Sequence, residues 1–338
     1  MTAETPDPAH TMLARFGLAV AEPTSHAITV QEYLPQVIAA SSPASTRSYG
    51  TYWTRMVEHW GERQIDSIRA SDVEAFQRDC TARSRQQRRN YRGGRHAGEN
   101  ANSAARAFFR RAEADGLIPV GSSPAHQVPK PRRLPSTRRA LLPWEMQAIT
   151  EVARTTGNDV ILDSLILRLH TETACRRGGA LGLRLADLDT TNGLVLVREK
   201  GETIRWQPIT LSLATRLDEH AHARGAVVAE DPILRYRNGR PITTRRYDRL
   251  WKRIGEQLPW AAAQGVSTHW LRHTTLTWVE RNFSYGIARA YAGHTDNTGP
   301  ATTTYIKADL HAVAAALAAL TGEPHPLALH TNDLGFLT

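Results

Sequence analysis

The chain has 338 residues, 41% hydrophobic and 22% charged, a balance typical of a folded protein rather than a disordered one. Its 42 lysines and arginines outnumber its 33 acidic residues, and the net charge of +9 favours an anionic partner such as nucleic acid. Two cysteines exclude a disulfide scaffold and a cysteine-rich zinc site, and they fit a reducing compartment. We expect neither a secretory signal, because residues 1–21 lack a basic start and an apolar core, nor a membrane span.

Lysine is unusually rare among the basic residues. There are four lysines (Lys130, Lys200, Lys252 and Lys307), and the remaining 38 basic residues are arginines. Each lysine is therefore a candidate for a role that arginine cannot fill, such as giving up a proton.

The first 118 residues predict a loose arm followed by a small helical domain. Residues 1–25 are polar and contain prolines, so we expect a flexible N-terminal arm. Over residues 26–118, apolar residues recur at helical spacing in four segments: from Thr29, after Ser42, from Ser71, and up to Gly116. Four helices in about 100 residues indicate a small all-α domain.

Two basic segments adjoin this domain. The run 83–95 contains two glycines, no acid and six arginines: Arg83, Arg85, Arg88, Arg89, Arg92 and Arg95. We expect it to contact phosphates, because glycine allows close approach and no nearby acid neutralises the arginines; the alternative is a solvated charged surface. Residues 119–139 predict a proline-stiffened linker whose cations, among them Lys130, Arg132 and Arg133, can lie along a phosphate strand.

Residues 140–338 predict a second domain of α+β type. Helical patterns cover 144–155, 159–170, 211–223, 244–257, 268–281 and 308–320. Two short strands, 193–198 and 203–208, form a predicted hairpin with Lys200 at its tip. The expected fold is mostly α with a small β-sheet.

His269, Arg272 and His273 share one face of a predicted helix. The two histidines have the spacing of zinc ligands, but no acid lies between them and no third ligand is evident, so we expect no metal and no cofactor. The His-x-x-Arg pair alone is weak evidence, because this composition produces about 1.6 such pairs by chance.

The other motifs along the chain strengthen the evidence from this His-x-x-Arg pair. In chain order they are Thr173–Arg176, Lys200-Gly201 with Arg205 and Pro208 following, His269-x-x-Arg272, Gly293-His294, and Thr302–Tyr305. This ordered set resembles the tyrosine recombinase (phage integrase) family over about residues 141–310, and the helical domain is similar to the family's core-binding domain. Each element is weak alone, whereas five in the right order are specific.

The chemistry of these residues points the same way. A phosphodiester gains negative charge when attacked, and two guanidinium groups, here Arg176 and Arg272, can hold its oxygens bidentately at any working pH. The Tyr305 hydroxyl can attack phosphorus once it loses its proton, which His269 is placed to handle. His294 can donate a hydrogen bond to the phosphate, and Lys200 can protonate the departing 5′ oxygen.

The resemblance implies these same roles and a site-specific recombinase that acts without metal or external energy. It implies cleavage and rejoining of double-stranded DNA recombination sites through a 3′-phosphotyrosine. It further implies a homotetramer on DNA that passes through a Holliday junction. We therefore expect a cytoplasmic, nucleoid-associated enzyme.

Three departures from the family pattern stand out. Gly179 occupies the position, three residues after Arg176, where the family often has an acid, so another group must orient the site. Eleven residues separate His294 from Tyr305, where nine is common, and Ala174 replaces a glycine in the turn before Arg176. Tyr285 and Tyr291 compete with Tyr305 as nucleophiles but precede Gly293-His294.

Several alternatives remain open at this point. A type IB topoisomerase-like enzyme shares the residue set but works as a monomer, and a DNA-binding regulator with a decayed active site shares the fold. An RNA-binding protein fits the charge but explains none of the five elements. The Ala-rich helix at 308–320 can pack on its own domain or, as we expect, dock onto a neighbouring protomer.

Overall fold

The computed structural model describes residues 28–84, 95–131, 138–199, 203–293 and 310–328. The chain divides into two compact units, Met1–Pro135 and Ser136–Thr338, called here the N-terminal unit and the C-terminal unit. The described residues are mostly helical and include one three-stranded sheet, so the predicted fold class is confirmed. None of the helices in these ranges combines the length and apolar composition that a membrane crossing needs.

The described part of the N-terminal unit contains five helices: α1 (Val30–Ala39), α2 (Pro43–Trp60), α3 (Ala70–Ala82), α4 (Arg95–Ala114) and the short α5 (Pro124–Gln127). The helix starts predicted at Thr29 and Ser42 are confirmed by their caps, whereas α3 begins at Ala70, one residue before the predicted Ser71. The Thr29 hydroxyl accepts from the Glu32 N–H, and the Glu32 carboxylate accepts from the Thr29 N–H. The Ser42 hydroxyl caps α2 by accepting from the Ser45 N–H at 3.2 Å, with Pro43 at the first helical position.

The core of this unit is aromatic and aliphatic. Tyr33 and Phe108 meet edge to face with ring centroids 5.4 Å apart, and the buried Trp53 indole donates to the Ala104 carbonyl at 3.1 Å. Tyr33, Trp53, Phe76 and Phe108 are fully buried. The predicted all-α domain therefore has its own apolar core.

The segment after Gly116 packs on the N-terminal unit rather than leaving it at once. Val128 is buried in its core, and the Val128 carbonyl accepts from both Asn102, at 3.2 Å, and Arg106, at 2.7 Å. Residues 124–128 thus belong to this unit, although the sequence assigns them to the linker. Of the predicted linker cations, Lys130 is exposed, and Arg132 and Arg133 lie outside the described residues.

The described part of the C-terminal unit contains nine helices: α6 (Pro143–Thr155), α7 (Val160–Thr173), α8 (Arg177–Leu181), α9 (Leu211–Ala223), α10 (Thr244–Gln257), α11 (Pro259–Gln264), α12 (Thr268–Asn282), α13 (Tyr285–Ala292) and α14 (Leu310–Thr321). Its three strands are β1 (Leu188–Asp189), β2 (Leu194–Glu199) and β3 (Thr203–Pro208). A core of side chains from α6, α7, α9, α10, α12 and the sheet holds these elements together.

The sheet is antiparallel throughout, in the order β1-β2-β3. Strand β2 pairs with β3 from Leu194 opposite Pro208 to Glu199 opposite Thr203, so the predicted hairpin is confirmed. Its tip, residues 200–202, lies outside the described residues.

Helix α14 packs on its own chain. Its Val313 and Leu317 side chains join a buried cluster with Val279 of α12 and Tyr291 of α13. Beyond the helix, the Glu323 carboxylate accepts from the Arg168 guanidinium at 2.8 Å. This is the arrangement that the simpler interpretation predicts, and docking onto a neighbouring protomer stays a prediction.

Candidate active site

Arg176 stands at a sharp turn between α7 and α8. Helix α7 ends at Thr173 and is followed by Ala174, whose φ of 49° is left-handed; Arg176 then forms the N-cap of α8. The Arg176 guanidinium donates to the Glu199 carboxylate at 2.8 Å, yet its side chain remains 41% exposed. One face of this guanidinium is thus held by protein while the other is open to a ligand.

Arg272, on α12, ties that turn to the end of α13. Its guanidinium donates to the Ala174 carbonyl and, at 2.8 Å, to the Ala292 carbonyl. Burial, together with the nearby charge of Arg176, lowers the pKa of Arg272 to about 10. The group therefore stays charged at neutral pH, and the site holds two adjacent guanidiniums.

His269 lies one turn before Arg272 on α12. Burial lowers the pKa of His269, and the charges of Arg138, Arg272, His273 and Arg176 lower it further. The imidazole is therefore neutral at pH 7, which is the form that accepts a proton. Three of the predicted catalytic residues, Arg176, His269 and Arg272, are thus close enough to influence one another electrostatically.

Two residues in this site carry no role in the sequence analysis. The Glu199 side chain at the end of β2 is fully buried, and the Arg205 guanidinium on β3 donates to it at 3.0 Å. Arg205 also reaches the Tyr291 carbonyl of α13 at 3.4 Å. The missing acid at position 179 indicated that another group had to orient the site, but nothing local pointed to Glu199.

The other three predicted catalytic residues, Lys200, His294 and Tyr305, lie outside the described residues. The residues directly before two of them are described. Glu199 precedes Lys200, and Gly293, with a φ of 66°, follows α13 and precedes His294. Gly293 suits this position because a left-handed conformation favours glycine.

Three residues could be mistaken for predicted catalytic residues: Tyr285 and Tyr291 for Tyr305, and Arg177 for Arg176. Tyr291 is fully buried, its hydroxyl donates to the Glu172 carbonyl, and burial raises its pKa far above the usual value, so it is unsuited to attack a substrate. Tyr285 is exposed, and the Arg289 guanidinium lies 5.5 Å from its ring centroid. Arg177, next to Arg176, faces Asp248 at 3.5 Å rather than Glu199.

The predicted DNA-contacting run is described only at its ends. Arg83 pairs with Asp79 at 2.9 Å and Glu58 at 3.3 Å, so the expectation that no acid neutralises the run is wrong for Arg83. Arg95 begins α4, but its side chain lies outside the described residues, as do Arg85, Arg88, Arg89 and Arg92. In the described ranges, no three histidine, cysteine or acidic side chains form a group suited to a metal ion.

Comparison with known sequences places this site in a family context. Residues 139–310 match the model of the phage integrase family. The chain is 28% identical over 201 residues to the tyrosine recombinase XerC of Chlamydia trachomatis serovar L2, covering 57% of this chain and 61% of the relative. It is 29% identical over 226 residues to XerD of Mycobacterium tuberculosis (strain CDC 1551), covering 62% of this chain and 69% of that one.

Solved structures show the same fold. A lambda integrase tetramer bound to a Holliday junction matches with a TM-score of 0.62 at 15% identity, covering 88% of this chain and 84% of that one. The Tn1549 transposon integrase in complex with circular intermediate DNA matches with a TM-score of 0.62 at 17% identity, covering 83% and 96%. The chain spans about three fifths of the XerC relative's length, so the match concerns part of that protein.

Proposed function

The chain belongs to the phage integrase family, and from this premise we propose that it is a site-specific DNA recombinase that cleaves and rejoins DNA through a 3′-phosphotyrosine. The observation that carries the proposal is the pairing of two guanidiniums, Arg176 and Arg272, beside a neutral imidazole, His269. Paired guanidiniums suit a phosphodiester, because they match its oxygens and its charge.

In the proposed reaction, the Tyr305 oxygen attacks the scissile phosphorus and its proton passes to His269. The bond from phosphorus to the 5′ oxygen breaks, and Lys200 gives that oxygen a proton. Arg176, Arg272 and His294 stabilise the charge that builds up on the phosphate oxygens, an effect typically worth about 3–4 kcal/mol for one well-placed donor. Attack by a 5′ hydroxyl from another strand then reverses these steps and rejoins the DNA.

We further propose that the substrate is a pair of double-stranded recombination sites on which four copies of the chain assemble and form a Holliday junction. The supporting observation is the shared fold with lambda integrase, which has been seen as a tetramer on such a junction. The DNA contacts assigned to the run 83–95 and to Lys130, Arg132 and Arg133 belong to this proposal, as does a cytoplasmic, nucleoid-associated location.

A suicide substrate tests the proposal. In duplex DNA that carries the recognised site and a nick just 3′ of the scissile phosphate, cleavage releases the short fragment that bears the new 5′ hydroxyl, so the covalent adduct accumulates. We expect a protein–DNA adduct with the wild-type chain and none with Tyr305→Phe, while Tyr285→Phe, the matched control, reacts normally. DNA binding without an adduct in the wild type would instead indicate a regulator, and supercoil relaxation without site preference would indicate a topoisomerase.

A further inference from the structure

A single buried carboxylate joins the strand hairpin to the arginine of the α7–α8 turn. The Glu199 side chain is 0% exposed and accepts from the backbone N–H of Arg176 as well as from its guanidinium at 2.8 Å. These two contacts fix both the backbone and the side chain of Arg176. A free arginine side chain loses about 2 kcal/mol of rotamer freedom on being ordered, so prior ordering helps it to bind a phosphate.

Gly179 leaves the space that this carboxylate needs. A Cβ atom at position 179 would lie 2.8 Å from the Val197 side chain and 3.2 Å from the Glu199 Cγ. The first distance is closer than real Cβ atoms approach, so a side chain at 179 would force Val197 or the adjoining backbone to shift. The acid that the sequence lacks on α8 is thus supplied from β2, through a contact that requires glycine at 179.

The same carboxylate reaches the end of α13 through Arg205. The Arg205 guanidinium donates to Glu199 at 3.0 Å and to the Tyr291 carbonyl at 3.4 Å. It also packs so tightly on Gly293 that a Cβ atom there would collide with it. The position of the chain just before His294 therefore depends on a guanidinium that Glu199 holds.

Charge makes this arrangement stable. Burial alone would raise the pKa of Glu199, but the Arg176 N–H and the guanidiniums of Arg205 and Arg272 outweigh it, so the net pKa is below the ordinary value. The carboxylate is thus ionised at neutral pH. It partly offsets three neighbouring positive charges that would otherwise repel one another.

We propose that Glu199 is a positioning residue of the active site, which orients Arg176 directly and the end of α13 through Arg205. It does not touch the DNA itself. The inference deepens the proposed function and rests on it for its catalytic consequence, whereas its structural part concerns the free chain.

The test compares two buried acids with similar partners. Asp187 also has a buried carboxylate that accepts from one backbone N–H, that of Arg184 at 3.0 Å, and from one half-exposed guanidinium, that of Arg198 at 2.5 Å, whereas Glu199 accepts in addition from Arg205. Asp187→Asn therefore removes the charge of a buried, arginine-paired carboxylate outside the site, as Glu199→Gln does inside it. Each variant is assayed for adduct formation on the nicked substrate at saturating DNA, for DNA affinity and for thermal unfolding.

We expect Glu199→Gln to slow adduct formation by about 10–100-fold, which is the rate effect of losing one hydrogen bond to a charged group. The DNA affinity should change by less than about threefold. Glu199→Asp keeps the charge and should recover part of the rate. Asp187→Asn should leave the rate unchanged. In an Arg176→Ala background Glu199→Gln should slow the reaction far less, because residues that act together are not additive.

The proposal is overturned if Glu199→Gln reacts like the wild type, or if Asp187→Asn loses rate to the same degree for the same loss of thermal stability. Full additivity with Arg176→Ala would also overturn it. A wild-type chain that forms no adduct refutes the proposed function instead. In that case ¹⁵N NMR of the Arg176 guanidinium in the free chain decides the positioning: rotation slow in the wild type and fast in Glu199→Gln supports it, and equal rotation overturns it.

Discussion

The N-terminal unit packs aromatic side chains such as Tyr33 and Phe108 against one another, and its buried Asn102 donates to the carbonyl of Val128. The C-terminal unit also has an aliphatic core, but it buries a whole set of carboxylates, each facing an arginine: Glu145, Asp159, Asp163, Glu172, Asp187 and Glu199. One unit therefore depends mainly on apolar packing, whereas the other also depends on internal ion pairs.

This difference changes the meaning of the basic composition. An excess of arginine first indicates contacts to nucleic acid, yet many arginines of the C-terminal unit pair with buried acids: Arg139, Arg168, Arg176, Arg198, Arg205, Arg224, Arg246 and Arg253. The planar guanidinium suits this use, because its fork matches a carboxylate. The same kind of pair, between Glu199 and Arg176, also holds the guanidinium of a proposed catalytic residue.

The largest expected effect comes from breaking the most buried of these pairs. The Asp163 carboxylate is fully buried and accepts from Arg246 at 2.7 Å and Arg253 at 2.5 Å. Asp163→Ala leaves two partly or wholly buried guanidiniums without their acid and should destabilise the C-terminal unit by about 3–5 kcal/mol. Urea unfolding with pulsed hydrogen exchange, read by mass spectrometry, reports each unit separately.

The control is Asp248→Ala, because Asp248 is 69% exposed and faces Arg177 at 3.5 Å. An exposed pair of this kind contributes about 0–1 kcal/mol. If Asp163→Ala lowered the free energy of unfolding of the C-terminal unit by no more than Asp248→Ala does, the buried ion pairs would not be what stabilises this unit differently from the N-terminal unit.

Acid should weaken the C-terminal unit first. Burial lowers the pKa of His170 and of His220 to about 4, below the 6.5 of a free imidazole. The unfolded state then binds more protons than the folded state, so the stability present above pH 6.5 is lost as the pH falls towards 4. Between pH 7.5 and 5 we expect a loss of about 2 kcal/mol for each histidine.

The same unfolding assay at several pH values checks this expectation. Burial raises the pKa of Glu172, which acts in the opposite direction, so the decisive comparison is His170→Asn against the wild type. The variant should show a smaller pH slope in the C-terminal unit and no change in the N-terminal unit. If the stability of the C-terminal unit depended on pH equally in the variant and the wild type, burial would not lower the pKa of His170 in the folded protein.

Local signals in the sequence were sufficient for most of the fold. Caps such as Thr29 and Ser42, and the paired strands around residue 200, predict their elements because each depends on residues a few positions apart. Helix α13 was missed although Ser284 caps it by accepting from the Ile287 N–H at 3.1 Å, since eight residues give little periodicity.

Contacts between distant residues were not predictable in this way. The sequence names Arg176 and Arg272 through the family pattern, but only the fold shows that Arg272 reaches Ala174, 98 residues away. Glu199 is 23 residues from Arg176, and nothing near either residue indicates that they pair. The packing of residues 124–128 on the N-terminal unit was not predictable for the same reason, because Val128 is held by side chains of α4.

The smallest effect concerns left-handed positions, where the two units again differ. The described left-handed positions of the N-terminal unit are glycines, with φ of 74° at Gly116 and 83° at Gly121, whereas the C-terminal unit, besides glycines such as Gly293, places Ala174 at 49° beside the candidate active site. Ala174→Gly removes a left-handed penalty of about 1–2 kcal/mol. It also loses a buried methyl group, worth about 0.8 kcal/mol, and adds chain entropy to the unfolded state, worth about 0.5–1 kcal/mol.

These contributions nearly cancel, so the free energy of unfolding of Ala174→Gly, measured by thermal unfolding, should differ from that of the wild type by less than about 1 kcal/mol. Gly293→Ala is the contrasting variant, because its φ of 66° and the Arg205 guanidinium both oppose a side chain. It should unfold more easily and disturb the end of α13. A large gain in stability from Ala174→Gly would show that the turn before Arg176 stores strain, and equal behaviour of the two variants would show that Arg205 yields readily at Gly293.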